Sequence, residues 1–201
     1  MLNILITGIG GQGTVLAAKL LAQAAQTRGW QVRTAETIGM AQRGGSVVSH
    51  VRMGSEGEEV AAPLLNRATA DLIIAFEPGE AARCLPYLAS GGTLVTAKSA
   101  VQPITAALSG SGYSSDGAID GLHAALDGTD ARLSIVDDAA LVAASGARKA
   151  LNVMLLACAL DTGAIPITVD DLRDAIHVCV KPRFVDMNLA AIDAALETLH
   201  C

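Results

Sequence analysis

Gly8-Ile9-Gly10-Gly11-Gln12-Gly13-Thr14 stands between an apolar run, Leu2 to Thr7, and an alanine–leucine segment with helical character, Val15 to Ala25. Four glycines in six positions require a backbone that bends tightly and can be approached closely. A helix that starts at such a turn offers free N–H groups and the positive end of its dipole, which suits a phosphate or a carboxylate. Some thirty residues later comes a second glycine-rich segment, Gly39-Met40-Ala41-Gln42-Arg43-Gly44-Gly45-Ser46. It places one guanidinium beside two glycines. The two segments are expected to converge on one anion-binding or subunit-docking site made of Gly8, Gly10, Gly11, Gln12, Gly13, Thr14, Arg43, Gly44 and Gly45.

The rest of the chain builds outward from that turn. Asn3 to Thr7 is too continuously apolar for a half-exposed strand and reads as a central parallel strand buried on both faces. In the helix that follows, Lys19, Gln23 and Gln26 make one polar stripe, and Gly29 ends it. Gln31 to Glu36 reads as a second strand, Thr37 to Gly45 as a loop, and Ser46 to Met53 as a strand. In that strand Val47, Val51 and Met53 oppose Val48, His50 and Arg52. Asp71 to Phe76 is the clearest further core strand. Pro78 opens a helix to about Leu88, and Gly91-Gly92 turns into a strand at Thr93 to Ala97. Ser109 to Gly117 reads as a surface connection. Helices at Ile119 to Leu126, Ala139 to Ala144, Ala150 to Leu160 and Thr168 to Val178 follow, the last with a capping-box-like start at Thr168-Val169-Asp170-Asp171, and a strand lies at Leu133 to Val136. The last helix carries an apolar stripe of Leu189, Ile192, Leu196 and Leu199. This alternation predicts an α/β fold: a Rossmann-like, mostly parallel sheet flanked by helices, with a helical C-terminal part, in one domain over residues 1–201.

Composition narrows the function. Apolar residues make up 51% of the 201 residues and aromatics 2%, so alanine, leucine and valine must fill the core, and base-stacking nucleic-acid modules are a poor match. A formal charge of −6 without basic runs makes nucleic acid and anionic membranes poor partners. No apolar run reaches the roughly 18 residues of a membrane helix. The first strand begins directly after Met1 and Leu2, which leaves no room for a signal peptide, and a cytoplasmic location is expected. Cys84, Cys158, Cys179 and Cys201 form no CxxC pair, so neither a zinc nor an iron–sulfur ligand set is expected. The apolar composition and an alanine-rich surface allow self-association as a homodimer.

Gly8-x-Gly10-x-x-Gly13 satisfies the dinucleotide fingerprint in its strand–turn–helix context, with Glu36 near the end of the second strand for a ribose. The doubled Gly10-Gly11 and the following Gln12 are less usual for a dehydrogenase. They widen the backbone nest and add an amide that can donate or accept. Arg43 gains little for stability in a glycine loop, whereas a planar guanidinium clamps phosphate or carboxylate well; a surface salt bridge is the competing explanation. Asn152 and Asn188, in apolar helices, must find partners, and capping a neighbouring loop is the expected use. The four histidines show no ligand spacing, and the chain has no Gly-x-Ser-x-Gly elbow, no phosphate-loop lysine and no Cys/His pair. No catalytic residue and no metal ligand is assigned.

Gly8-Ile-Gly-Gly-Gln-Gly13, followed by Arg43-Gly-Gly45 before a strand carrying His50-Val-Arg52, resembles the gamma-type subunit or domain of 2-oxoacid:ferredoxin oxidoreductases, the pyruvate, ketoisovalerate and indolepyruvate enzymes. The similarity extends to Gly146-Ala-Arg-Lys-Ala-Leu-Asn152, to Gly163-Ala-Ile-Pro166 and to Asn188. The direct Met1 start and the lack of appended ferredoxin cysteines most resemble the separate small subunit of the indolepyruvate type. The resemblance implies oxidative decarboxylation of a 2-oxoacid on thiamine diphosphate, with electrons passing through iron–sulfur clusters to ferredoxin and the acyl group ending on coenzyme A. It implies a large partner subunit that carries the thiamine diphosphate and the clusters, since their motifs are missing here. It also implies coenzyme A at the glycine turn and Arg43. Two other readings stay open: a stand-alone NAD or FAD oxidoreductase using Gly8, Gly10, Gly13 and Glu36, and a docking module without a ligand.

Overall fold

A computed structural model of the chain describes residues 1–39, 45–55, 57–101 and 114–200. Among these residues six strands form one sheet in the order β2-β3-β1-β4-β5-β6. The strands are β1 (Leu2–Ile9), β2 (Gln31–Ile38), β3 (Ser46–Gly54), β4 (Ala70–Ala75), β5 (Leu88–Ala97) and β6 (Arg132–Val136). β1, β4, β5 and β6 run parallel in sequence across the sheet. β3 alone runs against both its neighbours, β1 and β2. The mostly parallel sheet expected from the alternation is therefore present, with one antiparallel strand inserted between β1 and β2.

Seven helices accompany the sheet among the described residues: α1 (Thr14–Thr27), α2 (Pro78–Cys84), α3 (Asp116–Leu126), α4 (Asp138–Ser145), α5 (Leu151–Asp161), α6 (Val169–Cys179) and α7 (Val185–His200). β1 and β4 are buried on both faces, which is why their sequences read as unbroken apolar runs. Ile4, Ile6, Leu72 and Ile74 face one side, where α1 and the C-terminal helices α4 to α7 close over them. Leu5, Ile73 and Leu94 face the other, where Ala81 of α2 and Leu122 of α3 cover them. α5 is the centre of the first layer: Asn152 to Leu160 are all buried, so it needs no polar face.

Several local expectations hold for the reasons given. Gly29 adopts φ +76 after α1, and Thr168 with Asp171 forms a reciprocal capping box at the start of α6. Asn188 donates from Nδ2 to the carbonyl of Phe184 at 2.7 Å. Others are corrected. Gly91-Gly92 does not precede β5 but lies within it, where the register against β4 shifts between Ala70 and Leu72. Gly91 takes φ +69 there, and a Cβ on Gly92 would stand 2.9 Å from the Ala70 carbonyl; the pair marks an irregularity inside the strand rather than a turn. In α7 the buried face is Val185, Asn188, Ala191, Ile192 and Ala195; of the expected stripe Ile192 is buried and Leu189 and Leu196 pack partly buried against the core, while Leu199 is exposed. The connection expected at Ser109 to Gly117 lies largely outside the described residues, and Asp116 already begins α3.

His50 on β3 is buried and its Nδ1 accepts the Leu65 N–H at 3.2 Å, with the Tyr87 ring edge-on at 6.0 Å. Burial pushes its pKa below the ordinary 6.5, because the imidazolium would lose its hydration. A folded-state pKa below the unfolded one means that this contribution to stability is complete above about pH 6.5 and is lost as pH falls through the folded value. Thermal unfolding between about pH 7.5 and about pH 5 should show the unaltered protein losing more stability than His50→Gln, which keeps an acceptor without an ionisable ring. Equal losses in the two proteins would contradict this.

Candidate functional site

The glycine turn is shaped by side chains that consume its polar groups. Gln12 turns its carboxamide back into the fold: Oε1 accepts the Ile9 N–H at 2.7 Å, and Nε2 donates to the Phe76 carbonyl at 3.1 Å. Phe76 in turn donates its N–H to the Thr7 carbonyl at 2.9 Å. The ends of β1 and β4 are thus tied together by one side chain and one backbone bond. Gly8 is buried in this clasp, and a Cβ there would stand 2.7 Å from Gln12 Oε1. Only glycine fits.

Gly10 donates its N–H to the Gly45 carbonyl at 2.9 Å, so the second glycine segment does meet the first. Arg43 and Gly44 lie outside the described residues. Gly11, at φ +106, is exposed with open space on its Cβ side. Gly13, at φ +86, is the N-cap of α1 and supplies no side-chain cap, leaving first-turn N–H groups unbonded by any cap. Thr14 is the buried first residue of that helix. Asn152, 6% exposed on α5, donates from Nδ2 to the Gly13 carbonyl at 3.3 Å. The expected loop-capping role of Asn152 is therefore met, and its loop is the glycine turn itself.

A cleft of about 480 Å³ opens beside this turn, lined by Gly11, Gln12, Phe76, Arg148, Lys149 and Asn152 among others. A second recess of about 280 Å³ shares Gln12, Phe76 and Arg148 and adds Ser99 and Asp138. Both lie outside the carboxyl ends of β1, β4 and β5. The crossovers from β1 and β4 leave on opposite faces there, which is the position where open α/β sheets bind ligands. Asp138, buried at the first position of α4, accepts the Ser99 N–H at 2.8 Å and fixes one lip. Arg148 and Lys149, both exposed, form no ion pair or hydrogen bond among the described residues. Arg148 and Lys149 border the cleft together with Gly11 and Gln12 of the glycine turn, and Arg148 shares the adjoining recess with the Asp138 carboxylate.

Arg148 and Lys149 are the cleft residues that the glycine motifs did not reveal. A signal was present. They form a 3₁₀ turn directly before α5, and cations at a helix N-terminus oppose its dipole at a cost of about 0.3–1 kcal/mol each. Glu36, the expected ribose partner of a dinucleotide enzyme, is displaced. Because β3 intervenes, β2 is two strand spacings, about 10 Å, from β1, and Glu36 lines a separate surface recess with Lys19 and Gln23 of α1. The described residues contain no group of three His, Cys, Asp or Glu able to hold a metal ion. Cys84 and Cys158 are buried, and burial pushes the Cys158 thiol up to about 12, which makes it inert as a nucleophile.

The strain at Gly13 is testable. Ala there would keep φ +86 and place its Cβ 2.7 Å from Asn152 Nδ2, whereas Ala at Gly11 meets nothing. Gly13→Ala should destabilise the protein by about 2–4 kcal/mol and Gly11→Ala by about 1 kcal/mol in urea unfolding. Adding Asn152→Ala to Gly13→Ala should cost less than the two single changes summed. Equal effects at Gly11 and Gly13 would refute the packing role.

The chain from residue 3 to 198 matches the family model described as pyruvate ferredoxin/flavodoxin oxidoreductase. It is 32% identical over 196 residues to the indolepyruvate oxidoreductase subunit IorB of Thermococcus kodakarensis, covering 97% of this chain and 94% of that one. It is 33% identical over 195 residues to the protein of the same name from Pyrococcus horikoshii, with the same coverage. Among solved structures, the gamma subunit of a keto/oxoacid ferredoxin oxidoreductase from Geobacter sulfurreducens shares the fold, with a TM-score of 0.69 at 20% identity over the whole of both chains. No helix among the described residues is long and apolar enough to cross a membrane. The Gly8–Gly13 turn, the cleft beside it and the end-to-end match therefore place this chain in the pyruvate ferredoxin/flavodoxin oxidoreductase family.

Proposed function

We propose that the chain is the small subunit of a 2-oxoacid:ferredoxin oxidoreductase acting on an aryl-pyruvate of the indolepyruvate type, and that its cleft holds the phosphate-bearing part of coenzyme A. Support for the substrate class comes from relatives named as indolepyruvate oxidoreductase subunits that align along nearly their full length. Thiamine diphosphate and the iron–sulfur clusters belong, in this reading, to a large partner subunit that also passes electrons to ferredoxin. The buried, free thiols of Cys84 and Cys158 fit a reducing compartment such as the cytoplasm, where we place the complex.

The observation that carries the coenzyme assignment is the exposed Arg148–Lys149 pair, which lines one cleft with Gly11 and Gln12 of the glycine turn that leads into the uncapped start of α1. Arg148 and Lys149 would hold phosphate oxygens by charge-assisted hydrogen bonds, and first-turn N–H groups of α1 would complete the cradle. Asn152 Oδ1, left without a partner among the described residues, would accept a hydrogen bond from the ligand. Coenzyme A, when bound, supplies the thiol that receives the acyl group. This chain contributes binding and orientation, which lower the barrier by fixing the reactants in place.

In the complex with its large subunit, Arg148→Ala should raise the KM for coenzyme A about tenfold or more, as expected for one lost charge-assisted contact. Lys149→Ala should act in the same direction, and the KM for the oxoacid should stay unchanged in both. An unaltered KM for coenzyme A in the double variant would refute the assignment. The purified chain alone should be colourless and without oxidoreductase activity; turnover from the chain alone would overturn the subunit reading.

A further inference from the structure

Two carboxylates are buried at the mouth of the sheet with no part in the cleft. Glu77 is 2% exposed and Glu80 5% exposed. Glu77 accepts the Glu80 N–H at 2.9 Å and caps α2, and that bond explains its place. Glu80 is different. Its Oε2 accepts the Ser46 hydroxyl at 2.6 Å, and its Oε1 meets Arg83 Nε at 3.3 Å, although Arg83 is largely exposed. An i,i+3 pair with an exposed arginine stabilises little, while burying a carboxylate is costly unless it is well bonded. What the side chain does hold is Ser46. That residue opens β3 opposite Ile9, its carbonyl accepts the Gly39 N–H at 2.9 Å, and its neighbour Gly45 accepts the Gly10 N–H at 2.9 Å.

We infer that Glu80 is a positioning residue that, through Ser46 and Gly45, fixes the outer edge of the glycine turn. The links are continuous: Glu80 Oε2 to Ser46, Ser46 along the backbone to Gly45, Gly45 to Gly10, and Gly10 covalently to Gly11 in the cleft wall. Gly11, with φ +106 and open space around it, has no side-chain support of its own. Its backbone direction is therefore set by Gln12 on one side and by the Gly10–Gly45 bond on the other. Glu80 touches no part of the cleft and acts only through this chain of contacts. A carboxamide oxygen can still accept the Ser46 hydroxyl, more weakly than a carboxylate, so the link requires an acceptor at this position more than a charge.

The functional consequence rests on the coenzyme A reading proposed above, whereas the structural link does not. In the purified chain, Glu80→Ala and Ser46→Ala should each speed amide hydrogen exchange at Gly10 about tenfold, the effect of losing roughly one hydrogen bond. Exchange at Ile6 and Ile74 should be unchanged, and Glu80→Gln should stay within about threefold of the unaltered protein. In the complex, Glu80→Ala should raise the KM for coenzyme A several-fold and leave kcat within about twofold. Combining Glu80→Ala with Ser46→Ala should add nothing. Unchanged exchange at Gly10, equal acceleration at Ile6 and Ile74, or failure of Glu80→Gln to restore the amide would each overturn the inference. An unchanged KM for coenzyme A in Glu80→Ala, while Arg148→Ala raises it, overturns the positioning role alone. If Arg148→Ala also leaves that KM unchanged, the coenzyme reading falls and Gly10 exchange decides the Glu80 link by itself.

Discussion

The carboxamide of Gln12 is the constraint on which the site depends. It spans the gap between the ends of β1 and β4, accepting the Ile9 N–H on one side and donating a hydrogen bond to the Phe76 carbonyl on the other. Those two strands are the ones whose crossovers depart to opposite faces, so a crevice opens between their ends in any case. Gln12 closes the bottom of that crevice and sets the path of the turn above it. Two hydrogen bonds of this kind contribute a net of about 1–3 kcal/mol, but the cost of leaving the buried groups unpaired would be larger. Gly8 and Gly13 follow as necessities, because a Cβ at either would strike Gln12 or Asn152.

The second half of the chain completes what the first half begins. α5 is buried on every side and carries Asn152 to the Gly13 carbonyl, 139 residues away in sequence. The same helix start holds Arg148 and Lys149 beside the glycine turn. The C-terminal helices therefore cover the sheet and also bring Arg148 and Lys149 to the cleft.

Much of this was legible in the residues, and what was missed has physical reasons. The buried central strands, the glycine turn, the capping box at Thr168 and the partnering of Asn152 and Asn188 follow from local chemistry. The insertion of β3 between β1 and β2 does not. Strand order is a non-local choice, and Gln31 to Ile38 would look the same beside either neighbour. That choice separates Glu36 from the glycine turn and removes the ribose contact that the dinucleotide fingerprint suggests. Arg148 and Lys149 escaped for the converse reason. Their role appears only when a helix far along the chain is packed against the first turn. Gln12 lines the cleft as well, but its carboxamide is held by the Ile9 N–H and the Phe76 carbonyl, contacts that only the folded ends of β1 and β4 create.

The most direct measurement is an amide shift map of the ¹⁵N-labelled chain titrated with coenzyme A. The account predicts saturable shifts at Gly11, Gln12 and Gly13 and at Leu151 and Asn152, abolished by Arg148→Ala with Lys149→Ala. Saturable shifts confined to the recess around Lys19, Gln23 and Glu36, with the glycine turn unmoved, would contradict it.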